Sequence, residues 1–262
     1  MKHCLLGLLL AAGFDAGAHV VTDHLDGPDS LYTARLIRVL EHWPALRPSH
    51  GAVGPLTLSC IGTPSDDAYV GIVRHTTIQA AIAKVEEVLD DIAHYKDLFP
   101  STVSVRVLPG TRQGNRFATA WEQRVPVFFL PNVTYELSNS VDKTTTGFSV
   151  YRYKLRRSDT LVASDGLVVL EAVGSEATRI TEYGFFVARP SPVPASLIWR
   201  ESLRAAFLSS AAIKLRAENP SWTYARVAEE ANLLMTLDPG RFDTCLAGRP
   251  GTELRDGIQP RP

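Results

Sequence analysis

The stretch TRITEYGFFVARPSPVPASLIWRESLRAAFLSSAAIKLRAE (residues 178–218) decides the fold. Its first part, Thr178 to Ala188, is predicted to be the last strand of an antiparallel series. Residues 189–194 then form a proline-rich corner, which cannot join a sheet ladder. Apolar residues recur at helical spacing from Leu197 to Leu215 and predict a helix of about six turns. The chain therefore ends its sheet and turns directly into one long amphipathic helix.

Upstream of this stretch, segments of alternating polarity predict an antiparallel meander. The predicted strands are Tyr69–His75, Val103–Val107, Arg116–Val125, Val133–Leu137, Phe148–Leu155 and Leu161–Val173. An apolar stripe from Ile78 to Ile92 predicts a helix that stops at Phe99-Pro100, and residues 139–143 are predicted to interrupt their strand. This order favours an α+β fold over parallel βαβ units: a curved antiparallel sheet wrapped around a long C-terminal helix, with room for an apolar ligand.

The bulk composition is that of a globular chain able to bury a core. Hydrophobic residues make up 45% and charged residues 21% of 262 positions. The net charge is −1, from 27 basic and 28 acidic side chains without long runs of either sign. This pattern argues against a nucleic-acid partner, which needs a basic stripe, and against a polybasic membrane patch.

The first eighteen residues have the features of a secretory signal peptide. Lys2 and His3 give a polar start, residues 4–14 form an apolar run, and Ala16-Gly17-Ala18 is a small-x-small cleavage pattern. The run is too short to cross a bilayer comfortably, which argues against a membrane-spanning helix. The alternative to a signal peptide is a buried N-terminal helix of a cytosolic protein. We expect removal of residues 1–18, export to a periplasmic or extracellular location, and no transmembrane anchor afterwards.

Three cysteines are present, and Cys4 would leave with the signal peptide. In an exported protein the remaining two, Cys60 and Cys245, could form a disulfide that pins the tail to an early strand. Two unpaired thiols are the alternative, and the spacing does not choose between them.

Four local patterns in this order resemble the START-like, or SRPBCC, superfamily, which has a helix-grip fold. Residues 92–100 (IAHYKDLFP) resemble its D-F-x-x-Y-P-x-F-x-P helix end, and residues 164–170 (SDGLVVL) resemble its dG-x-W-x-L strand. Residues 178–183 (TRITEY) are similar to T-R-V-x-Y, and the proline corner before Ser196 is similar to its P-x-x-l-P motif. The resemblance covers about residues 68–218; Leu167 stands where an aromatic is common, and Pro190 and Pro192 lengthen the corner.

The resemblance implies a START-like ligand-binding domain at residues 67–218, with a cavity between sheet and long helix. Residues 19–66 would be an N-terminal helical extension with a short strand, and 219–262 a C-terminal helix with a loose tail. Some aromatic side chains on the sheet and helix would line the cavity, while others fill the core. The candidates are Phe117, Trp121, Tyr135, Tyr151, Tyr153, Tyr183, Phe185, Trp199 and Phe207, with the pairs Phe117/Trp121 and Tyr151/Tyr153 each sharing a strand face.

Catalytic and metal-binding patterns are weak in this sequence. All seven histidines lie at or before His94, outside the strands and helix that would line the cavity, and neither His75 nor His94 has a partner at ligand spacing. We find no nucleophile elbow, phosphate-binding loop or dinucleotide fingerprint. The sequence therefore predicts no catalytic residue, no metal site and no cofactor, and whether the protein is an enzyme stays open, leaning against.

Three functions remain. The first is an exported START-like protein that binds a lipid or other hydrophobic small molecule. The second is an enzyme of polyketide cyclase or aromatase type, in which Tyr, Ser or Arg groups deep in the same cavity would move protons. The third is an interaction module that docks a partner through the helix predicted at residues 221–235.

Overall fold

The computed structural model describes residues 57–60, 69–125, 131–189, 193 and 195–237, with some side chains inside these ranges left out. The predictions for the leader at 1–18 and the helix within 19–66 fall outside these ranges, as does Cys245. The Cys60–Cys245 bridge, the leader and the domain division therefore stay predictions.

Eight strands and four helices make up the described part of the chain. The strands are β1 (Thr57–Cys60), β2 (Tyr69–Ile78), β3 (Thr102–Val107), β4 (Arg116–Gln123), β5 (Val133–Asp142), β6 (Phe148–Ser158), β7 (Leu161–Ala172) and β8 (Thr178–Ala188). The helices are α1 (Ile82–Asp90), α2 (Tyr95–Leu98), α3 (Ala195–Glu218) and α4 (Tyr224–Leu237), with a 3₁₀ turn, Ile92–His94, between α1 and α2.

The strands form one antiparallel sheet in the order β1-β2-β8-β7-β6-β5-β4-β3. From β3 to β8 each strand pairs with the next in the chain, so the predicted meander is confirmed, as is the α+β helix-grip fold with the long helix after it. The closing pair joins β2 to β8, where Arg74 lies directly opposite Glu182.

Two local predictions were wrong. β5 does not break at residues 139–143 but continues to Asp142, which pairs with Val150. Asn139 fits within the strand because its amide is hydrogen-bonded there, donating to Thr119 Oγ1 at 2.9 Å and to the Leu137 carbonyl at 3.2 Å. Ile78, assigned to the first helix from its spacing, is instead the last residue of β2.

The solid core lies at the C-terminal half of α3. There the helix packs on the ends of β7 and β8 and on α1, α2 and α4, and Tyr224–Leu237 docks through the fully buried Val227 and Ala231. The core residues include Ile78, Val85, Leu89, Leu98, Leu170, Ile180, Ala212, Ile213, Ala217 and Val227. Among the described helices, none combines the length and apolar character needed to cross a bilayer.

Alanine substitutions inside and outside the core should differ clearly in their effect on the free energy of unfolding. Ile180 is 1% exposed, so Ile180→Ala should lower the free energy of unfolding by about 2–5 kcal/mol through lost burial and the cavity left behind. The matched control is Val162→Ala on the neighbouring strand, where the side chain is 50% exposed and the change should stay within about 0.5 kcal/mol. Urea denaturation measures both; equal losses would contradict this placement of the core.

Candidate functional site

A cavity of about 1240 Å³ lies beside the solid core, between the sheet and the N-terminal half of α3. It is larger than ordinary small-molecule pockets, which measure about 300–1,000 Å³. β4 to β8 contribute the floor, α3 contributes Leu197, Ala205 and Leu208 from above, and the segment around α2 closes one side. The hollow exists because the packed core of α3 is concentrated in its C-terminal half.

One wall of the cavity is aromatic. Trp121 and Tyr135 lie opposite each other on β4 and β5, and their rings stack with centroids 6.1 Å apart and planes 7° from parallel. Tyr95 of α2 meets Trp121 at 5.7 Å and Phe99 at 4.8 Å. These rings give a flat, stiff and mainly apolar surface suited to a hydrophobic guest.

The polar atoms on this wall are largely bonded to one another. The Trp121 Nε1–H donates to Thr119 Oγ1 at 2.8 Å, and Thr119 also accepts from the Asn139 amide. Because Trp121, Thr119 and Asn139 satisfy each other, the N–H groups of Trp121 and Asn139 are not left unpaired on the wall.

Tyr153 crosses the floor of the cavity above two glycines. Tyr153, Gly166 and Gly184 lie opposite one another on β6, β7 and β8. A Cβ atom added to Gly166 would lie 2.2 Å from Cζ of Tyr153, and one added to Gly184 would lie 3.0 Å from its hydroxyl oxygen. The ring can lie flat across the sheet only because both positions lack a side chain.

A buried ion pair joins the floor to the helix. Arg74 Nη2 lies 3.1 Å from Glu182 Oε1, and the two side chains are 16% and 4% exposed. Arg74 Nη1 also donates to the carbonyl of Ala206 at 2.5 Å, and the Ser210 hydroxyl donates to Glu182. The pair therefore lines the cavity and ties the middle of α3 to the sheet.

The phenol groups of Tyr153 and Tyr135 line the cavity, and both are protonated. Burial raises the pKa of Tyr153 to about 12, with Glu182 and Asp165 adding to the rise and Arg74 opposing it. Burial also raises the pKa of Tyr135, and the nearby Tyr153 adds to it. Neither hydroxyl is hydrogen-bonded to another of the described residues, so both are neutral donors available inside the cavity.

The opposite end of the cavity is closed by charged contacts. Lys143, in the loop after β5, lies 2.7 Å from Asp90 Oδ2 and 3.6 Å from Glu86 on α1. Tyr151 donates to Asp90 Oδ1 at 3.2 Å, and Lys143 lies over its ring. Burial, with the negative charge of Asp90 next, raises the pKa of Tyr151, so this phenol also stays protonated.

Among the described residues that line the cavity there is no histidine. His94 lies at a helix end, where its Nδ1 is 2.7 Å from Asp91 Oδ1 and its ring stacks on Tyr224. Over the ranges that the structure describes, no group of three or more His, Cys, Asp or Glu side chains is placed to hold a metal ion.

No protein-family model and no curated protein sequence matches this chain. Solved structures do match. A STAR-related lipid transfer protein from Xanthomonas axonopodis is 13% identical with a TM-score of 0.52, over 63% of this chain and 94% of that one. The lipid transfer and protein localization domain of human StarD13 is 10% identical with a TM-score of 0.50, over 71% and 97%. The chain has the START-like, helix-grip fold.

A third match is to an aromatase/cyclase. The Zhui aromatase/cyclase from Streptomyces sp. R1128 is 18% identical with a TM-score of 0.48, over 59% of this chain and 97% of that one. The two matches with TM-scores of 0.50 and 0.52 establish the START-like fold that the sequence patterns resembled, and at 10–13% identity they do not identify the ligand.

The structure places five of the nine candidate aromatics on the wall of the START-like cavity. They are Phe117, Trp121, Tyr135, Tyr151 and Tyr153. The two pairs predicted to share a strand face therefore do so, and their contact with a ligand stays a prediction.

Of the other four candidate aromatics, two lie away from the cavity wall and two have side chains that the structure does not describe. Tyr183 is 1% exposed and alternates with the cavity-lining Glu182 and Gly184, so it belongs to the opposite face of the sheet. Phe207 is buried between α3 and α4, where it packs with Ala231. The side chains of Phe185 and Trp199 lie outside the described part of the structure.

Sequence reasoning missed Arg74 and Glu182. A signal was present, because Glu182 occupies the same strand parity as Ile180 and Phe186, so a charge interrupts an otherwise apolar face. It also missed Tyr95 and Phe99, which were interpreted only as part of a helix end.

The glycine floor yields a graded prediction. Gly166→Ala should destabilise the protein by about 1–3 kcal/mol because the new Cβ overlaps the Tyr153 ring, and Gly184→Ala should cost less. In a Tyr153→Phe background the cost of Gly184→Ala should disappear, since its contact is the hydroxyl, while the cost of Gly166→Ala should remain. Urea unfolding of the four glycine variants measures this; a cost for Gly184→Ala that survives the loss of the hydroxyl would contradict the geometry.

Proposed function

We propose that the START-like domain binds a lipid or other hydrophobic small molecule in the cavity between the sheet and α3. The observation that carries this proposal is the cavity itself, about 1240 Å³ with a wall of stacked aromatic rings beneath the apolar side chains of α3. A hollow of this kind forfeits contacts that packed side chains would make, and an apolar guest restores them.

Burial of an apolar guest in the cavity supplies a large gross gain in free energy. Each buried methylene group contributes about 0.8 kcal/mol, so a guest burying about ten gains on the order of 8 kcal/mol before binding costs. The costs of association reduce this gross gain, and only the surplus appears as affinity. Two matched structures of this fold are named as lipid transfer proteins or domains, which supports the same class of ligand here.

A cyclase or aromatase-type enzyme is the second candidate, favoured by a specific observation. Tyr153 and Arg74 both line the cavity, and a protonated phenol beside an arginine could hold the oxygen of a reacting carbonyl. Against it, Arg74 is already bonded to Glu182 and to the carbonyl of Ala206. Recovery of the bound molecule unchanged after prolonged incubation distinguishes binding from turnover.

Blocking the cavity should abolish binding without unfolding the domain. Ala205→Trp places a large ring in the hollow beneath α3, so affinity for the neutral probe N-phenyl-1-naphthylamine should fall about tenfold or more, equivalent to about 1.4 kcal/mol or more. The matched control is Ala225→Trp on an exposed position of α4, which should leave the affinity unchanged. Fluorescence titration gives both affinities.

Purification without added ligand, followed by organic extraction and mass spectrometry, supplies the independent measurement. The parent protein should release a stoichiometric apolar molecule and Ala205→Trp should release little. Equal probe binding by Ala205→Trp and the parent would contradict the proposed site.

We further propose that the protein is exported and acts outside the cytoplasm, supported by the charged start, apolar run and cleavage pattern of residues 1–18. Leu8→Arg should retain the full-length chain inside the cell because a charge interrupts the apolar run, whereas Leu8→Ile should not. Cell fractionation and intact mass measure this. Recovery of the uncleaved parent chain in the cytosol would contradict export.

A further inference from the structure

We propose that the cavity selects hydrophobic molecules carrying an uncharged oxygen group, a hydroxyl or carbonyl, and that this group binds at the Tyr153 hydroxyl beside the Arg74–Glu182 pair. This selectivity rests on the binding function proposed above and gives it a ligand class. Molecules of the same skeleton that end in a carboxylate bind more weakly at this position.

The Tyr153 hydroxyl, the proposed donor, is held in a fixed position. Tyr153 lies across Gly166 and Gly184, and its hydroxyl reaches the space above Gly184. Glu182 is two residues earlier on the same face of β8, directly opposite Arg74. The hydroxyl therefore lies next to the ion pair, and its ring cannot move down into the sheet.

The Tyr153 hydroxyl is also available to a guest. Among the residues that the structure describes it has no hydrogen-bond partner, and it belongs to a half-buried side chain that lines the cavity. A guest that accepts from this hydroxyl makes a hydrogen bond inside the cavity, whereas a guest without an acceptor covers the donor and leaves it unpaired. Burial keeps this phenol protonated at neutral pH, with its pKa raised to about 12.

The charges beside the Tyr153 hydroxyl favour a neutral group over an anion. Arg74 and Glu182 cancel each other, so an anion placed beside them meets an attraction and a repulsion of similar size and still loses its hydration. A neutral oxygen pays much less for leaving water. A ligand hydroxyl can accept from Tyr153 and donate to Glu182, whereas a carbonyl accepts from Tyr153 alone.

The remaining cationic side chains on the wall do not supply a buried anion site. Five of them are exposed: Arg112, Arg124, Lys143, Arg189 and Arg204. Lys143 is paired with Asp90, and Arg204 lies 3.9 Å from Glu201. Arg152 borders the cavity, but it occupies the alternate position on β6, between the inward Tyr151 and Tyr153.

The experiment compares matched neutral and anionic probes. Competition against bound N-phenyl-1-naphthylamine at pH 8, where both acids are ionised, gives the affinities of two pairs. The pairs are retinol with retinoate and oleyl alcohol with oleate. We expect the alcohol of each pair to bind at least about tenfold more tightly. Tyr153→Phe keeps the ring over the glycines and removes the donor, so the alcohols should lose about five- to tenfold in affinity while the acids change little.

A charge variant provides a second readout if Tyr153→Phe fails to fold. Glu182→Gln leaves Arg74 without its counter-charge, so the preference should invert and the carboxylates should bind more tightly than the alcohols. The matched control is Tyr224→Phe, which removes a phenol outside the cavity, where it bonds Asp91, and should change neither member of a pair.

The outcomes separate the two proposals. Equal or tighter binding of the carboxylates by the parent protein, or a Glu182→Gln variant with unchanged preference, overturns the neutral-group selectivity and leaves the binding function standing. Loss of saturable probe binding in the parent protein, or its persistence in Ala205→Trp, overturns the binding function itself.

Discussion

The tie between the long helix and the sheet is the constraint on which the site depends. Arg74 reaches from β2 to the carbonyl of Ala206, and Glu182 accepts from Ser210 one turn further along the helix. Below this tie α3 packs through Ala212, Ile213 and Ala217 into a solid core. Above it the helix covers the cavity, so the same polar contacts that hold the helix also mark where close packing ends.

A second ionic tie fixes the far end of the helix. Lys214 donates to the Thr77 carbonyl at 2.7 Å and pairs with Glu218, which accepts from the backbone of Gln79. Both ties use charged side chains that are largely removed from water. Buried ion pairs contribute little net stability but strongly oppose geometries that separate them. Here they fix the register of α3 on the sheet, and with it the shape of the cavity.

Much of the fold could be predicted because short-range sequence patterns determine it. Alternation and a proline corner are local properties, and they gave the meander and the helix after it. β5 was predicted to stop at Asn139 because polar residues usually mark a turn, yet its amide is bonded within the sheet. Such a cross-strand bond depends on which strands are neighbours, and a single sequence does not reveal that.

The site was predicted less well for the same reason. Phe117, Trp121 and Tyr153 lie on the cavity wall with their predicted strand partners, because residues two or four apart on one strand share a face whatever their neighbours are. Their contact with a ligand stays a prediction. Tyr183 lies on the other face of β8, and the sequence did not reveal this because it requires knowing that Glu182 points to the helix. The value of Gly166 and Gly184 was invisible too, since it depends on a tyrosine from a third strand lying over both.

The pairing of β2 with β8 has a consequence for how the protein is made. The bond from Arg74 to Ala206 joins residues 132 positions apart, and the closing strand pair is nearly as distant in the chain. Contacts of such long sequence separation form late and slowly. A nascent chain can build its hairpins one after another as it leaves the ribosome, but it has no pocket until the last helix has emerged and settled. Formation of the cavity is thus a property of the finished molecule alone.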